Sequence, residues 1–433
     1  MSPVWLFAVV LGYFGLLLGV AWRTSRKATN ESFFIGNKNS NWVLVAFGMI
    51  GTSLSGVTFV SVPGGVVNDA FAYFQITLGY FLGYVLIALI LLPLYYRLNL
   101  TSIYHYLDTR LGFTAYKTGA AFFILSRTLG ATARLYLVVN ILQNVILNSF
   151  GIQFWMTAAI ILLMILLYTY EGGVKTIVWT DTLQTTGMLA GLLLCTFYML
   201  QHMGLDLRSA LHELAQTPTP KQFPFTQIFF TDPKSKLFWV KQILAGAFIT
   251  ITMTGMDQEM MQKNISVRTL RDSQKNVLTL GFTLIMVIGL FLFLGGLLHL
   301  YAFRNGAEWT IIEQNGQMVT RLFLQGKDIT ADNLFPAMAI RYMPPAFGII
   351  FIIALISALF PSADGAITAL TSSFCIDILG LQRRTDLNEG QKKQLRQRVH
   401  LLFAALFLVF VLFFKWVNNP SMIGVILYVA GYT

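Results

Sequence analysis

The chain has 433 residues, of which 56% are hydrophobic and 11% charged. Soluble domains carry about 25% charged residues, so these proportions exclude a soluble globular protein and indicate an all-α polytopic membrane protein whose core is its bundle of spans. The net charge of +11 is assigned to basic loops at the cytoplasmic face rather than to a nucleic-acid surface, and no nucleic-acid partner is expected.

Apolar runs of about 20 residues mark the spans. In order they cover 4–22, 41–66, 71–96, 116–147, 154–170, 176–201, 238–261, 277–301, 347–379 and 399–417. A further run begins near Ser421 and stops at Thr433, so an unfinished last span is expected. Lys and Arg gather in alternate loops: Arg23, Arg26, Lys27 and Lys38; Arg97, Arg110 and Lys117; Lys263, Arg268, Arg271 and Lys275; and the group from Arg383 to Arg398. The short loops 67–70 and 148–153 have none. This asymmetry predicts a cytoplasmic location for the basic loops and an external N-terminus. The long polar segments after the sixth and eighth spans then lie outside. Cys195 and Cys375 both stand in apolar runs without metal or disulfide spacing, and are read as inert buried thiols.

The second span is interrupted. Its middle reads GTSLSG from Gly51 to Gly56. Glycine weakens a helix, and serine and threonine compete for its backbone hydrogen bonds. An opened backbone at membrane depth is tolerated where it is buried in protein or lines a wet cavity. The segment therefore predicts a broken helix, a device that ion-coupled transporters use to present carbonyls to a cation. The competing reading is a continuous helix with small residues against a neighbour. The seventh span holds TITMTG from Thr250 to Gly255, five spans later. An odd offset inverts the second copy, which divides the single domain, 1–433, into repeats over 41–201 and 238–433 with a binding site between them.

Charged residues inside spans mark sites or their supports. Arg127 and Arg134 are seven apart and share a helix face. Each is read either as a clamp for a carboxylate or phosphate, or as a structural arginine. Asp181 and Asp364 lie in the sixth and ninth spans near hydroxyl residues, where they hold a hard cation or carry a proton. Asp257, nearer the interface, is read as a cap or hydrogen-bond acceptor as readily as a site residue. Pro361, inside the ninth span, frees the carbonyl of Ser357.

Several runs resemble the sodium:solute symporter family. GGVKTIVWTDTLQ, with Gly172, Lys175, Trp179, Asp181 and Gln184, resembles its signature. The run from Ser362 to Asp377, the stretch from Leu98 to Gly112 and ATARLY at 131–136 resemble its other motifs, in order along nearly the whole chain. The resemblance implies a LeuT-type fold of five plus five inverted helices with one helix prepended, ending within core helix 10. It implies sodium between the first broken helix and the ninth span, on Gly51, Leu54, Ala358 and Ser362. Pro361 stands where the family has a second hydroxyl ligand, which leaves Ser362 and a water to complete the site. It also implies a second sodium, or a proton, at Asp181 and Asp364. Substrate contacts carry over to Ser53, Ser55, Thr58, Gln75, Phe248 and either Arg134 or Arg127. Val57 and Thr58 replace the Glu and Gln of the sugar binders, so that binding mode is not expected.

The resulting expectation is a sodium-driven symporter, not an enzyme, with Na+ as its coupling ion. It takes a small anionic or polyhydroxylated solute and sits as a multi-pass monomer in the lipid bilayer of a bacterial inner membrane. The alternatives are a transporter-like sensor domain of a signalling protein and a proton-coupled symporter.

Overall fold

In the computed structural model, which describes residues 3–26, 29–145, 147–314 and 317–417, each of the ten expected spans is a helix or an interrupted helix. They are α1 (Pro3–Thr24), the pair α2 (Trp42–Ser53) and α3 (Gly56–Asp69), α4 (Tyr73–Arg97), α5 (Phe113–Val145), α6 (Phe154–Thr169) and α7 (Gly173–Met203). After α8 (Leu207–Gln216), in the first long polar segment, come the pair α9 (Trp239–Thr250) and α10 (Gln258–Ile265), then α11 (Leu270–Arg304). The last two are α12 (Pro345–Ile378) and α13 (Glu389–Val417). The run beginning near Ser421 lies outside the described residues.

Two features go beyond the apolar runs. Helices α11 and α13 begin several residues before their apolar runs, because amphipathic turns at 270–276 and 389–398 extend them. The second polar segment is not irregular. It forms an antiparallel sheet, β1 (Glu308–Gln314), β2 (Gln317–Leu324) and β3 (Lys327–Asp328), with Glu308 opposite Phe323 and Phe323 opposite Asp328.

The second span breaks where its glycines and hydroxyls predict. Helix α2 ends at Ser53, Leu54 and Ser55 leave helical geometry, and α3 restarts with the Ser55 side chain as its N-cap. The two halves meet at 55°. The seventh span is interrupted at TITMTG as well, but by a π-helical turn over Ile251–Gly255, after which Met256 and Asp257 leave the helix. Asp257 then caps α10, accepting from the Met260 amide at 3.0 Å. This is the capping alternative for that residue.

Packing brings both breaks to the middle of the bundle. Helix α2 lies on α7, α7 on α12, and α9 on α4. Glycines set the closest approaches. A Cβ on Gly48 would stand 3.0 Å from Asp181 Cβ, and one on Gly51 would overlap Thr185 Oγ1 and stand 3.4 Å from Pro361 Cγ. Gly79 of α4 and Gly246 of α9 form a similar backbone contact, in which a side chain on Gly246 would overlap the Ile76 carbonyl.

Candidate functional site

A cavity of about 290 Å³ lies beside the break of α2 and α3. Ser53, Ser55 and Thr58 reach it from the break, Thr250 and Thr254 from the seventh span, and Arg127 and Arg134 from α5. Tyr73, Tyr80 and Tyr84 of α4 complete a wall that is aromatic with polar edges. Small-molecule sites occupy roughly 300–1,000 Å³, so a volume at the low end favours a small solute. A second cavity, of about 560 Å³, continues along α5 past Leu137, Asn140 and Asn144 to Asp328, Asp332 and Arg341. It lies toward the end of the bundle that carries the sheet. At the other end α10 is buried throughout. There Gln262 bonds to Ser372 Oγ at 2.8 Å, and the Tyr96 hydroxyl donates to the Val267 carbonyl at 2.7 Å.

The two arginines separate. Arg127 Nε donates to Glu259 Oε2 at 2.7 Å, its Nη2 bonds the same oxygen, and Nη1 lies 3.6 Å from Asp257. Arg134, half-buried and lining the cavity, has no hydrogen bond or ion pair among the described residues. Residue spacing left the choice between them open. The acidic residues just past the second break decide which guanidinium is already neutralised.

Deeper in the bundle lies a residue that the sequence pattern misplaces. Lys263 reads as a cytoplasmic loop lysine, yet its side chain is 4% exposed. It sits on α10, with Nζ 2.7 Å from Asp181 Oδ2 and 2.7 Å from Thr52 Oγ1. Thr52 in turn lies 3.3 Å from the same carboxylate oxygen. Asp364 has a different partner, the Tyr168 hydroxyl, which donates to Oδ2 at 2.7 Å. The two carboxylates act on each other electrostatically, and each also has its own donor. An ammonium already stands on one of them and a phenol on the other.

Of the predicted sodium residues, Gly51 lies in the last turn of α2 close to Pro361 of α12, and Leu54 follows that helix. Ala358 and Ser362 are buried on α12, which packs against α2. Ser362 donates to the Leu359 carbonyl at 2.8 Å, which leaves its oxygen lone pairs free to accept. Pro361, without an amide, leaves the Ser357 carbonyl without its helical donor. Two predicted substrate residues do not reach the cavity. Gln75 is fully buried and its amide donates to the carbonyls of Ala72 and Leu237, which braces the segment leading into α9. Phe248 is 65% exposed, because the face of the seventh span that lines the cavity carries Ile249 and Thr250 of α9 and Met253 of the π-turn instead. Thr52, Tyr168, Glu259 and Lys263 were missed by sequence reasoning. Only the DQEMMQK run, which places a Glu and a Lys one turn apart just after a break, signalled any of them.

The sodium:solute symporter family model matches residues 33–433. The chain belongs to the sodium:solute symporter family. It is 23% identical to the sodium/sialic acid symporter of Proteus mirabilis over 93% of this chain and 76% of that one. It is 27% identical to the human sodium/iodide cotransporter over 64% of this chain and 41% of that one. It is 24% identical to the human sodium-coupled monocarboxylate transporter 2 over 71% of this chain and 49% of that one. The chain thus spans less than half the length of either human relative. Among solved structures it resembles the substrate-bound outward-open state of a Na+-coupled sialic acid symporter, with a TM-score of 0.79 and 20% identity over 98% of this chain and 85% of that one. At that identity the likeness establishes the fold.

Proposed function

We propose that this family member is a sodium-coupled symporter that imports a small anionic or polyhydroxylated solute by alternating access. The observation that carries the reading is Arg134. An unpartnered guanidinium in a half-buried cavity is costly unless an anion visits it, and a carboxylate matches its planar fork. Hydroxyls of Ser53, Ser55 and Thr58 stand in the same cavity to receive a polar solute. The relatives named for sialic acid and for monocarboxylates are consistent with a carboxylate on the solute.

Sodium binds, in this reading, at the end of α2 against α12, on carbonyls of Gly51, Leu54 and Ala358 and on Ser362. There it braces the break that shapes the cavity, so sodium and solute each favour binding of the other. The chain is a multi-pass protein of a bacterial inner membrane, with its N-terminus outside.

The test is a thermal-shift screen of the purified full-length protein against acidic solutes and their neutral amides, in sodium and in choline. Acids that stabilise only with sodium are expected. Amides that bind as well as acids would overturn the anion, and equal shifts in choline would overturn sodium coupling.

A further inference from the structure

Asp181 raises a question that the central cavity does not. It is 1% exposed, it packs against Gly48 of the broken span, and its side chain offers the hard oxygen that a cation would seek. Next to it Thr52 adds a hydroxyl oxygen. Both oxygens are already held by one positive group, the Lys263 ammonium, at 2.7 Å each.

We propose that the Lys263 ammonium is a tethered cation that takes the place of a second transported sodium at Asp181, so that this chain binds one sodium per solute. The proposal rests on the sodium-coupled reading above.

Three features support it. The first is partner choice. Glu259 is the nearer acidic residue in sequence, four positions before Lys263, but its Oε2 is engaged by Arg127. Among the described residues Asp181 is the carboxylate within ion-pair distance of Lys263. The second is room. Gly365 of α12 faces the ammonium, and a Cβ there would lie 3.2 Å from Nζ and overlap Glu259 Oε1. The glycine leaves space for the lysine head where any other residue would crowd it. The third is charge. Asp181 Oδ1 has no partner among the described residues, so the carboxylate is not saturated with donors, but an ammonium is already its ion-pair partner. A sodium ion added to it would be held next to a fixed ammonium in a place that water does not screen, and like charges there repel strongly.

The arrangement also ties three segments together. Lys263 belongs to the inner half of one broken span and Thr52 to the inner half of the other, while Asp181 belongs to continuous α7. A fixed cation at this point does for the empty and the loaded protein what a bound ion does only for the loaded one.

The experiment counts sodium. Full-length wild type, Lys263→Gln, Lys263→Arg, Asp181→Asn and the Asp181→Asn, Lys263→Gln double variant are purified. Equilibrium binding of radioactive sodium to each is measured, with choline as the replacement ion. Wild type, Lys263→Arg and Asp181→Asn are expected to bind one sodium with a Hill coefficient near one. Lys263→Gln exposes Asp181 and is expected to bind two, and the double variant returns to one. Two sodium ions in wild type, falling to one in Asp181→Asn, would overturn the proposal even if Lys263→Gln does not fold. So would a folded Lys263→Gln that still binds one. Wild type that binds no sodium would overturn the coupled reading and this proposal together, so the two failures are distinguishable.

Discussion

Arg127 and Arg134 are the same residue type, on one face of one helix, two turns apart. Both border the cavity, but their partners differ. Arg127 faces the inner belt of the bundle, where Glu259 and Asp257 meet it. Arg134 faces the cavity, where hydroxyls and tyrosines gather and no acid stands within ion-pair distance among the described residues. The difference teaches how to sort buried charge in a transporter. A charge whose partner is another side chain holds helices together. A charge whose side-chain partner is missing is, in the proposed reading, the one that meets the solute.

The contrast can be broken from the inner side first. Glu259→Ala leaves Arg127 with Asp257 alone, and removing one partner of a buried pair costs about 3–5 kcal/mol. Its expected result is a large fall in melting temperature in detergent, whether or not solute is present. A variant that melts like wild type would show that the inner belt is not structural.

Arg134→Lys attacks the other side. It keeps the charge and loses the fork. Loss of a charge-assisted pairing is worth about 1.5–3 kcal/mol, or roughly 10- to 100-fold in the KM of an acidic solute. Melting without solute should change little, since the guanidinium holds nothing there. Unchanged uptake kinetics would end the assignment.

The smallest effect sharpens the boundary of the cavity. Phe248 points away from it, so Phe248→Ala is expected to alter binding and stability by no more than about 0.5 kcal/mol. A clear rise in KM would mean that α9 rotates to present this ring during transport.

Much of the architecture is legible in the amino-acid sequence, because span length and broken-helix chemistry are local. GTSLSG announces its own break, and TITMTG does the same through a π-turn. The sheet is legible in principle, since Asn315-Gly316 stands between two alternating runs, but polar loops of membrane proteins invite no such reading. The candidate site is legible only in part. Ser53, Ser55 and Thr58 follow from the break. Lys263 does not, because a lysine at the end of a span ordinarily extends to the interface. Its burial depends on Asp181, 82 positions earlier in the chain, and on a glycine at 365. Phe248 fails for a related reason. A one-residue rotation of α9 decides which side chain sees the cavity, and the packing of Gly246 on α4 sets that rotation.

In the proposed one-sodium reading, a cation built into the protein changes the energetics of accumulation. Lys263 travels with the protein and is never delivered, so it draws nothing from the ion gradient. One sodium carried with one singly charged anion moves no net charge. Uptake of such a solute is then indifferent to membrane voltage and is limited by the concentration gradient of sodium alone. A second sodium at Asp181 would add about 1.4 kcal/mol for a roughly tenfold gradient and about 2.3 kcal/mol for 100 mV. Together these are worth roughly 500-fold in the steady ratio of solute inside to solute outside. The lysine gives up that reach. In the proposed reading, import in exchange continues when the membrane is depolarised.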